Sequence, residues 1–233
     1  MLHRTGRSFR AALAGLALLS ACAPFGARSG AEPVAYPPAP EGMSADAWLH
    51  ARTAYQHARE KRLTDKTIVT IIDYSLPSSE PRLWVVDLAT SQVLMNEYVA
   101  HGSGSGGLHA TAFSNRFGSR ESSLGTFITA SSYRGIRGLS VRLRGVERGI
   151  NDRAMARGLV IHGTPNVSAE RARRGRLGRT EGCPAVSPAA ARRLVRLIAN
   201  GTVVFAWYPE KVFLARSEFL DRSRAPVHLT NLD

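Results

Sequence analysis

Cysteine is scarce in this chain: there are two in 233 residues, and the first, Cys22, falls in an N-terminal targeting stretch. Cys183 is then alone in the mature chain, which excludes a disulfide-stapled scaffold. Long apolar runs are also missing. The N-terminal one, residues 11–19, is too short to cross a bilayer as a stable helix. Acids are outnumbered, 18 Asp and Glu against 31 Lys and Arg, for a net charge of +13. That balance invites a polyanionic partner, but no nucleic-acid motif accompanies it, and anionic envelope material suits the same charge. A metallopeptidase built on His101, His109 and His162 lacks a His-Glu-x-x-His or comparable spacing, so neither metal nor cofactor is expected. The glycine-rich run 102–107 lacks the Lys and following helix of a phosphate loop and reads as a mobile loop lining a cleft. No internal repeat is visible.

What is present fills one domain with extensions. Hydrophobic residues make up 44% of the chain, enough for a core. Residues 1–22 carry Arg4, Arg7 and Arg10 ahead of the apolar run and end in Leu-Ser-Ala-Cys, which looks like a bacterial lipobox with Cys22 as the acylated residue. Ordinary signal cleavage is the alternative, since Ala21 and Ala23 are small. Loss of residues 1–21 would lower the +13 by three. Acylation on two sites would anchor the chain firmly, and Ala23 after the cysteine suits the outer membrane of a Gram-negative envelope, facing the periplasm. Residues 23–43, rich in Pro, Ala and Gly, form a linker that reaches roughly 65 Å when extended.

Residues 44–65 read as a helix. Ser44 is its N-cap, and Trp48, Ala51, Tyr55 and Ala58 make one apolar face; His50 and His57 lie off that face and read as solvated. The period then changes. Strands are expected over 67–74, 82–87, 92–100, 126–132, 140–146, 159–161 and 202–207, with a short helix over 153–157. A last helix opens at Ser187-Pro188, with Pro in the first turn, and stops at Asn200-Gly201. The fold class is mainly β with flanking α-helices: a catalytic domain over 66–209 and a C-terminal tail over 210–233.

The informative stretch is 161–186. His162 and Cys183 are too far apart in sequence to meet except through tertiary folding. Cysteine is a nucleophile as thiolate, with a free pKa of about 8.5, and a neighbouring imidazole can take its proton and return it to a leaving amine. Gly182 frees the backbone beside the sulfur, and the Gly182 and Cys183 amides can face an oxyanion. Glu181 would raise the thiol pKa if it pointed inward, so it is expected to point out or toward an acceptor amine. Arg171, Arg173, Arg174, Arg176 and Arg179 form either a flexible basic lid that grips carboxylates or a solvated loop. Ser114, with Asn115, Ser122 and Ser123, either binds a peptide or closes turns. Tyr133 stacks on substrate or caps the core, and His101 touches substrate or is plain loop polarity.

His162-Gly163-Thr164 followed by Thr180-Glu181-Gly182-Cys183 resembles the active-site signature of L,D-transpeptidases, the cysteine enzymes of bacterial peptidoglycan. The resemblance covers about 66–209. It implies that Cys183 attacks an L,D peptide bond of a tetrapeptide stem and holds a thioester. It further implies that His162 activates the thiol, that the Gly163 carbonyl orients the ring (Asp152 is a weaker candidate), and that Thr180 and Arg179 lie at the substrate. Where many members carry Arg two residues after the cysteine, this chain has Ala185. An amine acceptor would give cross-linking or protein attachment, and water would give L,D-carboxypeptidase action. A catalytically inactive wall-binding lipoprotein is the remaining alternative. A sortase fits less well, lacking the Thr-x-Thr-Cys setting. The expected partners are peptidoglycan stem peptides and the membrane, with no nucleic acid and no obligate protein partner.

Overall fold

The computed structural model describes residues 38–175 and 177–221. Cys22, the targeting segment, the linker up to residue 37, Arg176 and the tail beyond residue 221 lie outside the described residues.

Helix α1 (Ala45–Glu60) starts at Ser44, whose hydroxyl accepts the Ala47 amide at 3.1 Å and so satisfies one of the open N–H groups of the first turn. Trp48, Ala51, Tyr55 and Ala58 are all buried along it. The two histidines depart from expectation. His57 is only 3% exposed, with Nδ1 placed between the carbonyls of Thr53 and Phe219 at 3.1 and 3.0 Å. His50 stacks on Trp207 at 4.3 Å between ring centroids. Both are drawn in because residues beyond 209 and the last strand cover the side of α1 that the apolar stripe leaves free.

Among the described residues eight strands follow: β1 (Ile68–Asp73), β2 (Pro81–Asp87), β3 (Gln92–Tyr98), β4 (Gly125–Gly135), β5 (Gly138–Gly145), β6 (Val160–Gly163), β7 (Ala185–Val186) and β8 (Val203–Trp207). They form one sheet in the order β3-β2-β1-β8-β4-β5-β6-β7. The pairings β1–β8 and β6–β7 are parallel and the others antiparallel. Strand β8 is buried at every position and β1 at all but its first, the pattern of strands covered on both faces. Phe205 and Trp207 point to the α1 side, where Phe213 joins them. Val204 and Ala206 point to the other side, with Ile72, Phe127 and Leu143, beneath Gly182 and Pro184.

Helix α2 (Ala169–Arg173) lies in the basic stretch, and α3 (Pro188–Ile198) has Ser187 as N-cap and Pro in its first turn. Helix α4 (Lys211–Arg216) was not legible beforehand. It buries Phe213, and Phe219 and Leu220 follow it into the core, so the first part of the tail belongs to the domain. At the other end Met43 is buried and its amide donates to Pro40, so the last linker residues are folded on as well. The expected helix over 153–157 is a run of turns.

Asp73 closes β1 and holds α1 to the sheet. Fully buried, its carboxylate accepts the Ser44 hydroxyl at 2.7 Å and the Ser75 amide and hydroxyl at 3.0 and 2.5 Å. A buried carboxylate is tolerated when its lone pairs are filled in this way. Asp73→Ala leaves those donors unmatched and is expected to cost about 2 kcal/mol. A urea unfolding curve with lowered midpoint and unchanged slope checks this, and a loss below about 0.5 kcal/mol would show that α1 docks without it.

Candidate active site

The short strand β7 determines where Cys183 sits. It pairs in parallel with β6 in the register His162↔Ala185 and Gly163↔Val186. On its other edge the Ala100 amide donates to the Ala185 carbonyl at 2.8 Å, and the Ala185 amide donates back at 3.3 Å. The His162 amide donates to the Pro184 carbonyl at 3.4 Å. The residues around the cysteine are thereby fixed against the strand that carries the histidine. Cys183 is half-buried, with its thiol 3.9 Å from the Gly158 carbonyl just ahead of β6. Ala185 is wholly buried, between β6 and Ala100.

His162 is 2% exposed. Its Nδ1 lies 2.9 Å from the Gly163 carbonyl, which makes Nδ1 the protonated nitrogen and leaves the Nε2 lone pair free. Burial lowers its pKa, and the nearby Arg137 cation lowers it further, against the bond to Gly163. For Cys183 burial pushes the pKa up, while the Val160 amide, Arg137 and Arg157 oppose it and Glu181 adds to it. Burial thus disfavours the charged form of both groups. Glu181 points outward, its carboxylate 2.8 Å from Arg120 Nε in an exposed ion pair.

Gly182 adopts φ +119°, and a Cβ there would lie 2.8 Å from the Glu121 carbonyl. Its amide donates to Thr180 Oγ1 at 3.2 Å, and that hydroxyl donates to the Cys183 carbonyl at 2.7 Å. Thr180 Oγ1 is thus engaged in shaping the loop, and the Gly182 amide is bonded within it and not open, which corrects the expectation that this amide faces an oxyanion. The Gly182 carbonyl accepts the Ser122 hydroxyl at 3.0 Å, and Ser122 Oγ in turn accepts the Gly102 amide at 3.0 Å.

Other expected site residues lie elsewhere. His101 is 1% exposed: its Nδ1 accepts from Arg82 Nη2 at 2.7 Å and its Nε2 faces the Gly106 carbonyl. Burial, with the adjacent Arg82 cation, holds its pKa down to about 4. A substrate contact would need it on the surface. Ser114 is a turn residue, with Oγ accepting the Arg116 amide at 3.0 Å and its carbonyl taken by Ser123 and Arg157. Tyr133 sits in the β4–β5 hairpin, opposite Ser140 and with Arg142 over its ring at 4.1 Å, so one ring face is already covered. Asp152 binds Asn115 and the Gly149 amide, and His162 takes the Gly163 carbonyl instead. The glycine-rich loop is tied down, with a turn of 3-10 helix over Ser103–Ser105 and amides bonded to Thr180 and Arg120. A Cβ on Gly102 would meet the Arg120 carbonyl at 2.2 Å, so that glycine serves close packing. In the basic stretch, α2 is capped by Ser168 and Arg174 pairs with Glu170 at 2.8 Å. Arg179 stays exposed beside the site, bonded to the Gly106 carbonyl. Arg171 and Arg174 line an open groove of about 760 Å³. Among the described residues, no three His, Cys, Asp or Glu side chains group as metal ligands would.

Two residues central to this arrangement carried no sequence signal. Arg82 is wholly buried, donating to the Leu76 and Val99 carbonyls and to His101, under the Tyr74 ring; burial lowers its pKa to about 10. Arg157 bonds the loop that underlies Gly182. Neither is distinguishable by its neighbours from the other arginines.

The fold defines a class, the mainly β domains with a few flanking helices. The sequence model of the L,D-transpeptidase catalytic domain matches residues 40–207, so the chain belongs to that family, whose members are transpeptidase-type enzymes. Solved structures similar to this chain include an L,D-transpeptidase from Mycobacterium smegmatis, 13% identical, TM-score 0.39, covering 61% of this chain and 59% of its own. Another is the helical cell shape determining protein Pgp2 from Campylobacter jejuni, 11% identical, TM-score 0.42, covering 70% and 57%. The match thus spans less than two thirds of the length of these structures. No curated protein matches the chain.

Gly182→Ala should cost about 1–3 kcal/mol of stability from φ strain and the clash with Glu121. It should also slow iodoacetamide labelling of Cys183 by moving the loop. A melting curve and labelling followed by mass spectrometry check both effects, and unchanged labelling would mean that the loop tolerates a shift at Gly182.

Proposed function

We propose that this protein is a peptidoglycan L,D-transpeptidase whose nucleophile is Cys183. The observation that carries the reading is the β6–β7 register, which sets the thiol loop against a histidine whose Nδ1 is committed to Gly163. Nε2 of His162 takes the thiol proton as Sγ attacks the carbonyl of an L,D bond in a tetrapeptide stem. The Cys183 amide faces the oxyanion, since the Gly182 amide is engaged. The C–N bond breaks, the proton passes from Nε2 to the departing D-amino acid, and a thioester remains. An acceptor amine then attacks the thioester and returns the thiol. Gly163 holds the ring, and exposed Arg179 meets stem-peptide carboxylates. The N-terminal lipobox supports anchoring at Cys22 and action from the periplasmic side of the outer membrane.

With a disaccharide-tetrapeptide, wild type should show a thioester mass adduct and released D-Ala, and Cys183→Ala neither. Release continuing in Cys183→Ala would refute the reading. An added amine acceptor appearing in the product separates transfer from L,D-carboxypeptidase action. His162→Gln should lower kcat by about 10²–10⁴, the usual contribution of a general base. His162 must be neutral to accept a proton, and its pKa is pushed below imidazole's ordinary 6.5, so activity should fall only as pH drops below that value. An acid limb above pH 7, read from kcat/KM, would contradict this. Arg179→Gln should raise KM more than it lowers kcat.

A further inference from the structure

The guanidinium of Arg157 is held by four acceptors. Nη1 donates to the Ser114 carbonyl at 2.6 Å and to Ser123 Oγ at 2.7 Å. Nη2 donates to the Glu121 carbonyl at 2.7 Å and to Ser119 Oγ at 3.3 Å. All four acceptors belong to residues 114–123, the loop on which Gly182 rests. Nη2 is also 3.3 Å from where a Gly182 Cβ would be. The carbonyl facing the thiol is that of Gly158, the next residue in the chain. No carboxylate is within bonding distance of this guanidinium among the described ion pairs. Its four hydrogen-bond acceptors are neutral; the Glu121 carboxylate acts on it without a hydrogen bond, and the fixed charge reaches what lies beside it.

We propose that Arg157 is a positioning residue for Cys183, a fixed cation clamped beneath the Gly182–Cys183 turn that favours the thiolate as it forms. The inference rests on Cys183 being the nucleophile. The charged and titratable groups that act on the thiol are Arg137 from the β4–β5 turn, Arg157, Glu181 from its own loop and Tyr74 from the end of β1; the Glu121 carboxylate acts on Arg157, and His162 lies on the strand with which β7 pairs. Of the two cations, Arg137 is exposed on a turn, whereas Arg157 is fixed by its four bonds. Arg137 acts on the thiol more strongly from the surface, but Arg157 is the cation held in one place beneath the cysteine loop. Arginine suits the place because a planar fork can hold two donors on each side while staying charged.

The test is the pH dependence of Cys183 alkylation by iodoacetamide in the full chain, read by mass spectrometry, for wild type, Arg157→Met and Arg157→Lys. Removing a cation close to a thiol should raise the midpoint by about one pH unit and slow labelling at neutral pH about tenfold. Arg157→Lys keeps the charge and should recover most of that. If Arg157→Lys behaves as Arg157→Met, or if neither moves the midpoint, the charge has no such role and the proposal falls. Should Arg157→Met not fold, Ser123→Ala removes one acceptor only and should move the midpoint in the same direction by less; no movement overturns the proposal. Stem-peptide release surviving in Cys183→Ala would instead defeat the nucleophile reading itself, a separate outcome in a separate assay.

Discussion

The two-residue parallel pairing of β7 with β6 is the constraint on which the site depends. Parallel neighbours cannot be joined by a tight turn, so the chain leaves β6 at Gly163, passes through α2 and the basic stretch, and returns at Ala185. A pairing this short would be weak alone. It is reinforced from the other edge by Ala100, which exchanges both backbone bonds with Ala185. The strand register thus sets the approach of His162 and Cys183, and the Thr180 and Gly182 contacts at the end of the connection fix the loop that carries the sulfur.

Burial works against the chemistry that this register makes available. It raises the thiol pKa and lowers that of the imidazole, so the ion pair is disfavoured at rest. The arrangement limits the penalty in two ways. Glu181, the one acid next to the cysteine, is turned out to Arg120 at the surface, where an ion pair is worth little but the carboxylate no longer faces the sulfur. Arg137 and Arg157 bring positive charge from two different connections.

Patterning made much of the fold legible. The α1 stripe at Trp48, Ala51, Tyr55 and Ala58, the Ser44 cap, and the Ser187-Pro188 start of α3 each depend on neighbours within a turn or two, and the structure has all of them. The β-branched runs of β1 and β8 were equally plain. What could not be read depended on distant partners. His57 has the composition of an exposed helix position and is buried because Phe219, far along the chain, lies over it. His101 and Tyr133 occupy positions that suit a substrate contact, yet Arg82 and Arg142 reach them first. The hydroxyls of Ser114 and Thr180 were ambiguous because turn closure and ligand binding use the same atoms. Helix α4 is short, and it is held by packing of Phe213 more than by any local signal.

That exhaustion of polar groups bears on how the site recognises anything. Ser122 and Thr180 spend their hydroxyls on Gly182 and Cys183, and His101 its nitrogens on Arg82 and Gly106. The inner shell is therefore built to hold the thiol loop still, as preorganisation requires, and has few groups left over for choosing among substrates. The exposed charged groups lie at the periphery: Arg179 at the rim and the arginines of the α2 groove. Long-stemmed cations at the surface can follow carboxylates of different reach without moving the sulfur. Charge at the surface is thereby separated from the buried hydrogen bonds that hold the loop, and the basic connection between β6 and β7 lies outside the register that pairs His162 with Ala185.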